Sequence, residues 1–194
     1  LSPEARTLLA GDLADAVVAL RATSISPEAA SAAELKHYRG NTLRSFDRVM
    51  RRNIDACRAL RELELDLDAA LGLWEQALVL PGADERSPAS WYHGDLVAEN
   101  LLSQNGRLRA ILDFGGLGVG DPTIDLHGAW ELFNPSDRQV FRDRLGIDEA
   151  QWLRGRAWAV AIALGCFSYY WEKMPERISD RLIMAQAALT DDLS

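Results

Sequence analysis

Residues 101–114, "LLSQNGRLRAILDF", set two apolar runs on either side of Asn105-Gly106. Asn-Gly is the strongest short-range signal for a β-hairpin, because both central residues of a type I′ turn need positive φ. So short a turn leaves the second strand one course, straight back along the first. The residues just outside the strands, Asn100 and Asp113, are thereby carried toward one cleft.

The rest of the chain reads as helix. Ser2-Pro3-Glu4 has the form of an N-cap followed by Pro at the first helical position. Leu8, Leu9, Leu13, Val17 and Leu20 then recur at helical spacing to about residue 22. Ser26-Pro27-Glu28 opens a short helix, and residues 31–41 read as a polar connection. A long helix is expected from about Thr42 to Leu60, with Leu43, Phe46, Val49, Met50, Ile54, Cys57 and Leu60 on one side. Another is expected from about Asp68 to Leu78, followed by a loop at 80–90. After the hairpin, Asp121-Pro122 opens a helix running to about Phe133, and Ser136 caps one ending near Gly146. Asp148 caps a long apolar helix over about 149–172, and Pro175-Glu176 opens the last. The expected fold is mainly α with a small β-hairpin, in one domain over residues 1–194.

Composition narrows the function classes. The net charge is −8, which argues against a nucleic-acid partner, since that needs clustered Lys and Arg. It is compatible with a cationic small molecule. Residues 157–171, "AWAVAIALGCFSYYW", form the longest apolar run, too short to span a bilayer and ending in Glu172 and Lys173. A buried helix is expected there. With no basic N-terminal signal, and with Cys57 and Cys166 lacking metal or redox spacing, a cytoplasmic protein with reduced thiols is expected.

The chemistry concentrates in residues 91–126. "WYHGDLVAEN" sets His93, Asp95 and Asn100 behind two aromatics, and Asp113-Phe114-Gly115 closes the hairpin 18 residues after Asp95. An Asp base, an Asn and then a DFG-type Asp is the layout of a kinase catalytic loop. Phosphoryl transfer needs an oriented hydroxyl whose proton a carboxylate can accept. It also needs Mg²⁺ on the nucleotide phosphates, and that hard cation prefers an amide carbonyl and a carboxylate as ligands.

"HGDLVAENLL" and "ILDFGGLGVGDPTIDL" together resemble the aminoglycoside phosphotransferase family of small-molecule kinases. Its motifs, HGD-x-x-x-x-N, then DF or DW, then GDP-x-x-D, are matched by His93, Gly94, Asp95, Asn100, Asp113, Gly120, Asp121, Pro122 and Asp125. The resemblance implies the helical C-terminal lobe of a protein-kinase-like fold. It implies Asp95 as catalytic base or hydroxyl-orienting group, Asn100 and Asp113 as Mg²⁺ ligands, and Leu102 beneath the adenine of ATP, with GTP as the alternative nucleotide. His93 supports the loop in one reading and transfers a proton in the other, the first being favoured. Asp121 would cap the following helix and Asp125 would hydrogen-bond the loop backbone.

The same resemblance shows what is missing. A nucleotide lobe needs strands, a Gly-rich phosphate loop and a Lys. The residues before Trp91 read as helix, and the only lysines are Lys36 and Lys173. A C-terminal lobe alone is expected, beginning at Leu1 inside a longer protein, inactive by itself and prone to self-association where the other lobe would lie. The acceptor would be a hydroxyl-bearing small molecule such as an aminoglycoside or another antibiotic; macrolides, choline, sugars and homoserine are further acceptors of the wider superfamily. Candidates to line its site are Trp130, Glu131, Tyr169, Tyr170, Trp171, Glu172 and Asp180, with His37, Tyr38 and Arg39 reaching over it. Core packing for the aromatics and a solvated face for the acids are the structural alternatives. Two other functions compete: a kinase-like binding protein without catalysis, disfavoured by the intact Asp95, Asn100 and Asp113, and a metallohydrolase on His93 and Asp95, short of ligands.

Overall fold

The computed structural model describes residues 2–36, 42–84 and 89–191. His37, Tyr38 and Arg39 lie outside the described residues. The molecule is mainly helical, with two small antiparallel sheets. Its helices are α1 (Pro3–Ala22), α2 (Pro27–Ser31), α3 (Leu43–Arg58), α4 (Leu67–Leu78), α5 (Ala129–Leu132), α6 (Pro135–Leu145), α7 (Glu149–Tyr170) and α8 (Ile178–Leu189). The strands are β1 (Ser90–Tyr92), β2 (Leu101–Gln104), β3 (Arg107–Ile111) and β4 (Gly118–Gly120). No described helix is long and apolar enough to cross a membrane.

The helix starts follow local chemistry. Ser2, Ser26 and Thr42 each accept the N–H three residues on, which satisfies a donor the first turn leaves orphaned. Asp148 and Gln151 form a reciprocal capping box at the start of α7. That helix buries residues on nearly every side, among them Trp152, Trp158, Leu164 and Phe167. It packs against α3, α4, α8 and the turn at Pro122–Leu126, so the long apolar run is the central pillar of the core. Phe46, Trp74 and Trp158 join α3, α4 and α7 in one aromatic cluster, with ring centroids 5.2–6.2 Å apart.

The hairpin forms where Asn105-Gly106 places it, with φ of 53° and 73°. The register runs Leu101↔Ile111 to Gln104↔Arg107, with an irregularity after Leu102. It is fastened to α1. Arg107 donates to both carboxylate oxygens of Asp12, and Leu108 N–H also meets that carboxylate at 3.0 Å. A Cβ on Gly106 would stand 2.5 Å from Ala5 Cα, so the turn itself rests on the helix backbone.

Two expectations need correction, and one strand pairing is new. Ser136 does not cap α6: Asn134 does, accepting Asp137 N–H at 2.9 Å and the Ser136 hydroxyl at 2.7 Å, because Pro135 already occupies the first helical position. The stretch 122–133 is not one helix. It is a 3₁₀ segment at Pro122–Leu126 and then α5, parted where Gly128 presses on the backbone of Leu96. Finally, β1 has a partner the sequence did not reveal: Trp91 pairs with Val119 of β4, in a Gly-rich stretch without strand-forming alternation.

Candidate active site

The loop between β1 and β2 begins at His93-Gly94. Gly94 has φ of +84°, and a Cβ there would stand 2.6 Å from Gly116 O. Conversely, a Cβ on Gly116 would stand 2.9 Å from His93 O. The two glycines let the 93–100 loop and the turn after Asp113 touch backbone to backbone.

Side chains then fix the loop. Asp125, from the Pro122–Leu126 turn, is buried and accepts the N–H of His93 at 2.8 Å and of Gly94 at 2.7 Å. Burial pushes its carboxyl pKa up, opposed by those two N–H groups and by the charge of Arg21. His93 lies at 3.3 Å from the Asp95 N–H through Nδ1 and at 3.0 Å from Leu112 O through Nε2. A backbone N–H can only donate, so Nδ1 is the acceptor and the proton sits on Nε2. Both ring nitrogens are thus occupied within the protein, and the ring packs edge-on against Phe114 at 4.7 Å. His93 braces the loop against the strand end that carries Asp113.

Asn100 and Asp95 meet directly. Asn100 Nδ2 donates to Asp95 O at 2.9 Å and to Asp95 Oδ2 at 3.2 Å. Its amide nitrogen is committed to Asp95, so the oxygen is the atom left for a cation. The base of the hairpin closes at this point, where Leu112 N–H donates to Asn100 O at 2.8 Å. Asp113 follows, with φ of 54° in the left-handed region, its Oδ1 accepting Gly115 N–H at 3.2 Å. A non-glycine residue in that conformation is a strained point of the kind that gathers at functional sites. Asn100, through its amide oxygen, and Asp113, through its carboxylate, offer a hard, oxygen-only donor set at neighbouring strand ends. It fits Mg²⁺, which is bound by one or two carboxylates together with substrate phosphates and water. Among the described residues there is no group of three or more His, Cys, Asp or Glu placed to hold a metal ion.

The remaining candidates fall into separate places. Leu102 on β2 is about half exposed, as are Leu112 and Phe114. Asp121 caps its turn through Thr123 N–H at 3.0 Å and lies 3.5 Å from the buried Arg154 guanidinium. Trp130 is 1% exposed, its ring tilted against Trp152 and its indole N–H on Asp191; it is core, and offers no surface to an acceptor. Glu131 also points inward, accepting Ala98 N–H at 3.0 Å and pairing with Arg181. Tyr169 and Tyr170 stand edge to face at 4.7 Å, with Lys173 over the first ring and Arg177 over the second, and Glu172 is exposed beside them. Trp171 packs edge-on against Phe167. The tyrosine cluster connects toward the loop through Arg177, which lies 3.6 Å from Glu99.

Sequence reasoning passed over Arg21, Arg154 and Arg181. Arg21 is partly buried and donates to Pro122 O at 2.8 Å; desolvation lowers its pKa, against the pull of Asp125 and Asp121. No local pattern marks these arginines, since each finds its partner far away in sequence.

The sequence matches the model of the phosphotransferase enzyme family over residues 1–159. The chain belongs to the phosphotransferase enzyme family. Among solved structures, it is similar to ADP-bound aminoglycoside phosphotransferase APH(2'')-Ib, at 20% identity and TM-score 0.60, covering 97% of this chain and 66% of that one. The GDP complex of aminoglycoside 2'-phosphotransferase-IIIa gives 16% identity and TM-score 0.66, over 97% and 64%. Macrolide 2'-phosphotransferase MphH from Brachybacterium faecium gives 22% and 0.57, over 97% and 61%. No curated protein matches this sequence. This phosphotransferase-family chain therefore spans just under two thirds of the length of the structures it resembles, and in its described residues before β1 it is helical.

Proposed function

We propose that this chain is the base- and metal-bearing lobe of a kinase that moves the γ-phosphate of MgATP or MgGTP to a hydroxyl of a small-molecule antibiotic. The observation that carries the reading is the direct bond from Asn100 to the Asp95 carboxylate at the closed base of the hairpin. It ties a carboxylate to the Asn100 amide nitrogen and leaves the amide oxygen open, one strand end away from a second carboxylate. A hydroxyl brought to Asp95 is oriented by that carboxylate and gives up its proton to it. The Asn100 amide holds the carboxylate in place, and His93 and Asp125 hold the backbone beneath both. Asn100 Oδ1 and Asp113 would bind Mg²⁺, which when present neutralises charge on the nucleotide phosphates. Leu102 would give the nucleotide base an apolar floor.

Several similar structures are of complexes with streptomycin, gentamicin or kanamycin, and others are macrolide phosphotransferases. An aminoglycoside or a macrolide hydroxyl is accordingly the acceptor class proposed here, with Tyr169, Tyr170 and Glu172 as its contacts on this chain. GDP complexes among the similar structures support reading GTP beside ATP as phosphate donor. The test is phosphate transfer from labelled ATP and GTP, with Mg²⁺, to a panel of both antibiotic classes by the protein joined to a nucleotide lobe. Transfer to at least one member, abolished by Asp95→Asn, is expected. Tight nucleotide binding without transfer to any acceptor would favour a kinase-like binding protein.

A further inference from the structure

The segment from Asp125 to Glu131 lies along the 93–98 loop and touches it at three points. Asp125 takes the N–H groups of His93 and Gly94. Gly128 packs so close that a Cβ there would stand 1.9 Å from Leu96 O. Glu131 Oε1 accepts Ala98 N–H at 3.0 Å. Asp95 sits between the first and last attachments, so the segment brackets the proposed base.

The third attachment is built at some energetic cost. The Glu131 side chain is 8% exposed and that of Arg181 10%. A buried carboxylate stays ionised only with close partners. Arg181 of α8 supplies one, donating to Glu131 Oε2, and its Nη2 lies 3.5 Å from Glu99 Oε1 on the same loop. Asp180 of α8 and Glu99 add negative charge nearby, and burial itself raises the Glu131 pKa. One carboxylate and one guanidinium thus tie α5 and α8 to the middle of the loop. Both oxygens of Glu131 are spent on this, which leaves it no part in contacting an acceptor.

Resting on the phosphotransfer reading, we propose that Glu131, held by Arg181, is a positioning residue. It fixes the backbone of residues 95–100 and thereby the placement of Asp95 relative to Asn100. It stands as the counterpart of Asp125 at the other end of the loop.

Two readouts test this. The first is amide hydrogen exchange on the 194-residue chain itself. In Glu131→Ala the Ala98 amide should exchange about tenfold faster or more, the scale of losing a hydrogen bond to a charged group, while α7 amides stay as in the wild type. Glu131→Gln, whose amide oxygen can still accept that N–H, should fall in between, and Arg181→Met should loosen the same amide. The second is kinetics in the protein joined to a nucleotide lobe. There Glu131→Ala should lower kcat by roughly tenfold or more with the nucleotide KM within about twofold, and Glu131→Gln should recover most of the loss. If Glu131→Ala does not fold, the Gln and Arg181→Met variants carry the same comparison. Wild-type protection of Ala98 in all folded variants, or parallel loss of kcat and nucleotide affinity, would overturn the proposal. Exchange as expected beside an inactive wild type would keep the loop clamp and overturn the phosphotransfer reading instead.

Discussion

In the proposed reaction Asp95 and Asp113 would hold different ends, and single substitutions should separate them. Asp95 faces the acceptor hydroxyl in the proposed chemistry. Asp95→Asn is therefore expected to lower turnover by about two to four orders of magnitude, the usual worth of a general base, with nucleotide affinity largely intact. Asp113→Asn removes charge from the metal site, so MgATP binding and turnover should fall together. Nucleotide titration beside steady-state rates checks both, and matching few-fold losses in the two variants would refute the division of roles. The meeting of Asn100 with Asp95 at the closed base of the hairpin was legible because the motif sets these residue types at short separation and the hairpin converts that spacing into proximity. Glu131 was read as an acceptor contact and Trp130 beside it likewise. Their true surroundings, Ala98 and Arg181 for one and Asp191 for the other, are set by packing across 33 to 61 residues of sequence, which no local pattern encodes.

At the scale of elements, boundaries written in side-chain chemistry were readable and those written in tertiary contact were not. Ser2-Pro3, Ser26-Pro27 and Asp148 each announced a helix, and Asn105-Gly106 a turn. Strand β4 exists only because β1 lies beside it, and the break before α5 only because Gly128 must pack against the loop. The joint between α1 and the hairpin offers a test of its own. The side-chain hydrogen bond from Arg107, with the smaller help of Leu108 N–H, holds the Asp12 pKa below its usual 3.8. A depressed carboxyl pKa means the joint's contribution is fully present above the unfolded-state value and is lost as pH falls through the folded one. Asp12→Asn should therefore lower stability at neutral pH, by on the order of 1 kcal/mol given solvent access to the pair. The gap to wild type should narrow below about pH 4. Denaturant melts of both proteins across pH 2.5–7 would show it, as buffers at that stated range bracket the carboxyl titration. A gap that stays constant or widens toward acid would rule the joint out as its source.

On the scale of the whole molecule, the face that carries the proposed chemistry also exposes large apolar side chains. Leu102, Leu112 and Phe114 are each about half exposed. Beside Phe114, a hollow of about 300 Å³ opens between α1 and the loop, lined by Ala16, Val17, Leu20, His93, Leu96 and Ile111 among others. Soluble monomers rarely leave large contiguous apolar patches bare. The similar structures are longer by a third or more of their own length, and a nucleotide lobe laid over this face would cover it. The 194-residue chain by itself is accordingly expected to associate through the hairpin face at micromolar concentrations and to transfer no phosphate. Sedimentation velocity over a range of loading concentrations would reveal the association, and Leu102→Glu together with Leu112→Glu should return the chain to a monomer with its helical circular dichroism unchanged. The paired charges act only if the two leucines are at the contact, so association that persists in the double variant would place the contact elsewhere. A wild-type chain that stays monomeric throughout would mean that these apolar groups are too scattered to drive it.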